Sequence, residues 1–285
     1  MGLAGRRRAT VVLLVGPALA LVGGALLVPT ANLLVQSFLV SKGYGRVDLT
    51  FTLRNYVEAV TDPLYLKLAV SSFGLGALAA LLCLALGYPV AYTIAFKLRR
   101  GRNLALFLVV VSLFSSYLVR LYAWYTILGA NGLVNAVLER LGLVDEPLLF
   151  LLFSKWAVLI AFVNIFLPYT ILMLSSSMQN IRPEVLENAR DLGASPLQTF
   201  RQIVMPLSMT GAVGALTYTF ILTSGDYITP ALLGGVQNTS LANMVSNQFL
   251  ALGNRPGGAA ISFLMLAVFL VFYLAVSRLE RVKRF

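Results

Sequence analysis

Asp226 is the only acid between Asp191 and Glu280, and it directly follows an uncharged run over residues 202–225. An ionisable side chain near membrane depth is costly, so a carboxylate there is a functional candidate by default. Tyr218 and Tyr227 flank it in sequence, and an earlier apolar segment supplies Tyr117, Tyr122 and Trp124. Aromatic faces around a carboxylate suit an ammonium group. Asp226 reads equally well as a helix-end cap or as the structural partner of a cation. The aromatics alone are ordinary as packing or interfacial-belt residues. Arg120 cuts the other way, because a free guanidinium repels a cationic ligand. It is either paired, with Asp226 as a candidate, or in contact with a partner subunit, or a sign that the ligand is an anion. Acid–base and metal chemistry find no residues to work with: the chain has no histidine and one cysteine, Cys83, inside an apolar run. Cys83 reads as a small packing residue. These residues point to binding and passage rather than catalysis, and no metal or cofactor is expected.

The elements that must position them are membrane spans. The chain has 285 residues, 59% hydrophobic and 12% charged, against about 25% charged for soluble domains. Uncharged stretches run over 11–40, 68–96, 103–119, 156–181, 202–225 and 256–277. Most reach the roughly 20 residues that cross a hydrocarbon core about 30 Å thick. The third is long enough if Arg120 sits near one interface and the helix continues to about Leu128, which puts Arg120 about 24 Å along it at 1.5 Å per residue. Arg6-Arg7-Arg8 before the first run resembles a signal peptide, but that run is about twice a 7–15-residue core, so a retained helix is expected. The predicted fold is an all-α polytopic membrane protein of six transmembrane helices. Residues 1–10 form a cytoplasmic N-terminus and 11–285 a single transmembrane domain.

Charge sets the orientation. With both termini cytoplasmic, the inner segments carry Arg6, Arg7, Arg8, Lys97, Arg99, Arg100, Arg102, Arg182, Arg190, Arg201, Arg278, Arg281, Lys283 and Arg284 against four acids. The outer segments carry both signs equally. The net charge of +11 is thus a topology signal, and nucleic acid is not an expected partner; the lipid bilayer is. In the outer loops, Asp62-Pro63 reads as a turn before a helix, 133–143 as a short amphipathic helix, and 226–255 as a loop with a short helix near 241–250. Pro168 is expected to kink the fourth span, 149–178.

One polar island interrupts this pattern on the inner side, over 182–206. Pro183 and Glu184 read as a helix start, and Leu186, Ala189 and Leu192 recur at spacing three as one small apolar face. Gly193 falls where a left-handed helix end is expected. Ser195-Pro196 reads as the cap and first residue of a second helix running through Phe200 and Ile203 to Pro206. The result is a helix–Gly–helix elbow. Its bland reading is an ordinary interfacial hairpin.

Glu187, Ala189, Gly193, Ile203 and Pro206 stand at the offsets of the E-A-A, G, I-x-L-P coupling pattern. The segment resembles the cytoplasmic coupling loop of permease subunits in binding-protein-dependent ABC importers, with Asn188 and Met205 as departures. The resemblance implies a type I ABC importer permease fold in a bacterial cytoplasmic (inner) membrane. It also implies two ATPase subunits docking on the elbow, a second permease that is a related but different chain, and a soluble binding protein outside. The chain has no G-x-x-x-x-G-K-[S/T] loop of its own, so ATP hydrolysis is expected in a separate subunit. Val119-Arg-Leu-Tyr-Ala-Trp124, Asn131-Gly-Leu-Val-Asn135 and Gly225-Asp-Tyr-Ile-Thr-Pro230 further resemble the spermidine/putrescine-type permeases. They imply a polyamine as the solute, with Asp226, Tyr227, Tyr122, Trp124 and Arg120 as pathway candidates. Another amine-bearing or anionic solute is the alternative. An ATP-independent channel or an intramembrane enzyme is a remoter one.

Overall fold

The computed structural model describes residues 3–43, 45–98 and 100–282. Arg99, Lys283 and Arg284 of the inner basic clusters lie outside the described residues, as do the side chains of Arg6, Arg7, Arg8, Glu280 and Arg281. The chain divides into two compact units, Met1–Asp62 with Val245–Leu264, and Pro63–Met244 with Met265–Phe285.

The first unit begins with α1 (Leu3–Ser37), whose stretch Val15–Ser37 is long and apolar enough to cross a membrane. It then departs from the expected all-α class. β1 (Leu39–Gly43) and β2 (Arg46–Phe51) form an antiparallel hairpin, with Ser41 opposite Val47. The period-two pattern of Arg46-Val-Asp-Leu-Thr-Phe51 suits a pleated strand; against six long apolar helical runs it was a weak signal. α2 (Arg54–Thr61) follows. Phe38 stacks on Phe51 at 5.2 Å, and Asn55 donates to the Ser37 and Leu39 carbonyls, both at 2.9 Å. In this unit the Gly45 N–H also donates to the Gly253 carbonyl at 3.0 Å.

The second unit is built on three long helices. These are α3 (Pro63–Tyr92), α7 (Lys155–Met178) and α11 (Met209–Ser224), which pack against one another. Lipid tails are as apolar as leucine, so helix association in a membrane depends on close packing of small residues. The buried face of α3 has that composition: Ser72, Gly76, Ala79, Ala80, Cys83, Gly87 and Ala91. A Cβ added at Gly76 would lie 2.1 Å from Ser224 Oγ, and one at Gly87 2.9 Å from Thr170 Cγ2. Gly76→Val is therefore expected to cost about 1–3 kcal/mol by overpacking. Thermal unfolding of the purified protein in detergent should show a clear fall in Tm; an unchanged Tm would mean that α3 and α11 separate easily at this level.

The third expected span is not one helix. α4 (Arg102–Leu113) meets the segment Tyr117–Arg140, which begins with α5 (Tyr117–Leu128), at a bend of 87°. The bend falls at Ser115-Ser116, where Ser116 is extended, and Ser pairs are a recurrent cause of kinks. Arg120 is consequently not 24 Å along a straight helix. α6 (Leu133–Arg140) is the expected short amphipathic helix. The fourth helix starts at Lys155 rather than near 149, and Pro168 lies inside it.

The fifth expected span also bends, by 69° at Ser208, between the segment Pro196–Leu207, which ends in α10 (Met205–Leu207), and α11. Pro206 has no N–H to give the preceding turn, and the chain widens there into a π-helical turn over Phe200–Val204, with the Met205 N–H donating to the Phe200 carbonyl. α12 (Leu241–Leu250) is the short helix expected in the outer loop, and α13 (Arg255–Val282) closes the chain. Among the described residues, four helices are long and apolar enough to span, and up to six if each bent pair counts as one.

Candidate functional site

The elbow has the local structure that its residues dictate. α8 (Pro183–Asp191) starts with Pro183 in its first turn and Glu184 near the positive helix end. Gly193 has φ +82°, and two hydrogen bonds close the helix end: Gly193 N–H to the Arg190 carbonyl at 2.8 Å and Ala194 N–H to the Ala189 carbonyl at 2.9 Å. This is a Schellman end, which needs a left-handed residue at the glycine position. α9 (Pro196–Thr199) opens with a full capping box, Ser195 Oγ accepting from Gln198 N–H and Gln198 Oε1 accepting from Ser195 N–H.

The two ends of the elbow differ in role. Leu186 and Val204 are buried with Leu174, Met178 and Ile181, and Ile203 and Phe200 pack on the same cluster. Phe200 meets Tyr88 edge-on at 5.6 Å and Tyr92 at 6.1 Å, tying the elbow to the end of α3. Ala189 is also buried, so its small size serves packing rather than display. Leu192 is not part of that face, as the spacing implied. The helix ends at Asp191, and Leu192, as the cap residue, turns outward with 88% of its surface exposed. Leu197 is exposed as well, and so are the charged Glu187, Arg190 and Asp191 of the same elbow. A rigidly held elbow with two exposed leucines and a charged rim is suited to receive a partner.

At the other site, Asp226 is engaged by its own segment. Its Oδ1 accepts from the Ile228 N–H at 2.8 Å. Its Oδ2 accepts from Thr229 Oγ1 at 2.5 Å and from the Tyr117 hydroxyl. The carboxylate therefore caps the turn into Pro230–Gly234 and tethers it to α5 across 109 residues. The Asp226 carbonyl, in turn, accepts from Ser240 Oγ at 3.2 Å.

The other candidates are not gathered around it. Arg120 is half-buried and forms no ion pair among the described residues. Trp124 packs on the main core cluster, whereas Tyr122 and Tyr227 are exposed. The helix-end cap that the sequence offered as one reading of Asp226 is present, but its hydroxyl partners Thr229 and Tyr117 were not named as such from the sequence. Asn135, from the third-span signature, is fully buried and pins two loops, donating to the Gly129 carbonyl at 3.0 Å and accepting from the Leu148 N–H at 2.9 Å.

Residues 84–284, more than half of the chain, match the family described as binding-protein-dependent transport system inner membrane component. The chain belongs to this family. It is an inner-membrane permease component, multi-pass, and not an enzyme. This permease is 35% identical over 254 residues to the spermidine/putrescine transport system permease protein PotB of Escherichia coli (strain K12), covering 88% of this chain and 92% of that one. It is 32% identical over 259 residues to the protein of the same description from Haemophilus influenzae (strain ATCC 51907 / DSM 11121 / KW20 / Rd), with 90% of each chain covered. Among solved structures, a chain of a bacterial ABC transporter involved in the import of the acidic polysaccharide alginate superposes with a TM-score of 0.77 over 99% of both chains. At 16% identity, that likeness speaks for the fold: the mostly helical permease fold of ABC importers.

Proposed function

We propose that this permease forms half of the translocation pathway of an ATP-driven importer whose solute is a polyamine of the spermidine or putrescine kind. The observation that carries the solute class is the 35% identity, along nearly the whole length, to a spermidine/putrescine permease. The chain crosses the membrane six times with both termini cytoplasmic, each bent pair of helices serving as one span; the inner-side excess of Lys and Arg supports that orientation. Residues 1–10 are the cytoplasmic N-terminus, and 11–285 act as one transmembrane domain.

The elbow, 182–206, is the coupling loop and receives one of two ATPase subunits. Glu187 lies on its docking surface, Gly193 sets its angle, and Ala189, Ile203 and Pro206 hold it against the membrane helices. A second, related permease completes the pathway, and a soluble binding protein delivers the solute to the outer side. At that side, Asp226 fixes the shape of the 226–255 loop, and Tyr227, Tyr122, Trp124 and Arg120 line the approach.

The cognate binding protein decides the solute. Calorimetric titration with spermidine, putrescine, basic amino acids and small anions is expected to give saturable binding with the polyamines. Binding of an anion or an amino acid with no polyamine response would overturn the solute class and leave the permease assignment standing.

A further inference from the structure

α7 is packed on most sides and leaves one open stripe. Ile160, Asn164 and Ser176 are exposed, with Pro168 and Leu172 half-buried between them; each step of four joins neighbours but turns about 40° further round the helix, so the five form one continuous ridge that winds across α7. Asn164 lies nine residues into this 24-residue helix, about 14 Å along it at 1.5 Å per residue. Among the described residues its amide makes no hydrogen bond. An amide held against lipid tails forfeits its bonds to water at a cost of several kcal/mol. The stripe therefore faces water or another chain, and an uncharged helix had concealed it from any reading based on charges.

Further along, the stripe runs into a groove of about 590 Å³ between α7 and α11. Ser176, Ser177 and Asn180 form one wall, and Thr210, Gly211 and Gly214 the other. The helices pack tightly at Gly211, where an added Cβ would stand 2.5 Å from Ser177 Cβ and 2.7 Å from the Met173 carbonyl oxygen. The groove is wide enough to admit water along its length. Its polar lining is hydroxyl and amide, with no ionisable side chain.

We propose that this groove is the water-lined part of the solute path toward the elbow, and that Asn164 is its mid-membrane contact for the ammonium groups of the solute. Neutral oxygens accept hydrogen bonds from an ammonium without holding it as a buried carboxylate would. The assignment rests on the permease reading above.

Single cysteines at Asn164, Ser176 and, as a control on exposed α13 surface, Leu270 test it in a Cys83→Ala parent, in the assembled importer in membrane vesicles. The probe is a charged, membrane-impermeant methanethiosulfonate, which reacts with thiolate formed only where water reaches. N164C and S176C are expected to label at least about tenfold faster than L270C, since thiol reactivity follows access to water. Labelling of both no faster than L270C would overturn the inference, and so would spontaneous cross-linking of N164C to the second permease without labelling. If N164C does not assemble, Thr210→Cys takes its place beside S176C. ATP-dependent spermidine uptake by the parent is measured separately, so a wrong solute and a wrong path give different results.

Discussion

Gly193→Val is expected to reduce ATP-driven uptake by roughly 5–30-fold while the protein stays assembled in the membrane. The glycine holds φ +82° at the Schellman end, and a Cβ there would meet nothing within 4 Å. The Cβ meets no clash among the described residues, so the penalty expected is backbone strain. A left-handed residue costs about 1–2 kcal/mol, and a β-branched one sits at the upper end. An elbow whose correct angle is disfavoured by that amount is populated roughly 5–30-fold less. The series separates strain from contact. Asn tolerates the left-handed region, so Gly193→Asn should retain more uptake than Gly193→Ala, and Ala more than Val. If Asn is as damaging as Val, side-chain size at a partner surface is the cause instead. Full uptake with Val would sink the coupling assignment.

Asp226→Ala is expected to destabilise the outer half of the second unit by about 2–4 kcal/mol, the sum expected for a lost cap and a lost charged hydrogen bond. The substitution removes the carboxylate acceptor shared by the Tyr117 and Thr229 hydroxyls, leaving these two only each other, and removes the acceptor for the Ile228 N–H. Tm in detergent and uptake should fall together. Asp226→Asn is the informative partner. Its amide oxygen can accept from the Ile228 N–H, and the two hydroxyls can turn to accept from its NH₂. Tm and most of the uptake should then return. An Asn variant with the parental Tm but more than about a tenfold loss of uptake would show instead that the charge itself acts on the solute, as an intramembrane carboxylate can.

The elbow was legible because everything that shapes it is local. Pro183, Gly193 and Ser195-Pro196 encode a start, an end and a second start within 14 residues, and the structure shows a Pro-initiated helix, a left-handed glycine and a capping box at those places. Leu192 went astray for a related reason. Spacing of three carries a residue onto the buried face only while the helix lasts, and here it stops at Asp191. The bends at Ser115-Ser116 and Ser208 were hidden because hydropathy counts apolar residues without regard to direction.

The sequence by itself determined that this chain is a membrane permease, where its elbow lies along the chain, and the family from which its solute class is inferred. Those properties are written in one dimension, as run length, charge asymmetry and fixed offsets. Only the tertiary structure decided which groups Asp226 engages. Its partner Tyr117 is 109 residues away, and no local propensity records that α5 bends back to bring a hydroxyl to a carboxylate. It also decided that Arg120, with no ion partner among the described residues, is not the cation that Asp226 was candidate to hold. Asn164 belongs with these, since an amide in an apolar run is packed, lipid-facing or water-facing according to which side of its helix the neighbours leave open.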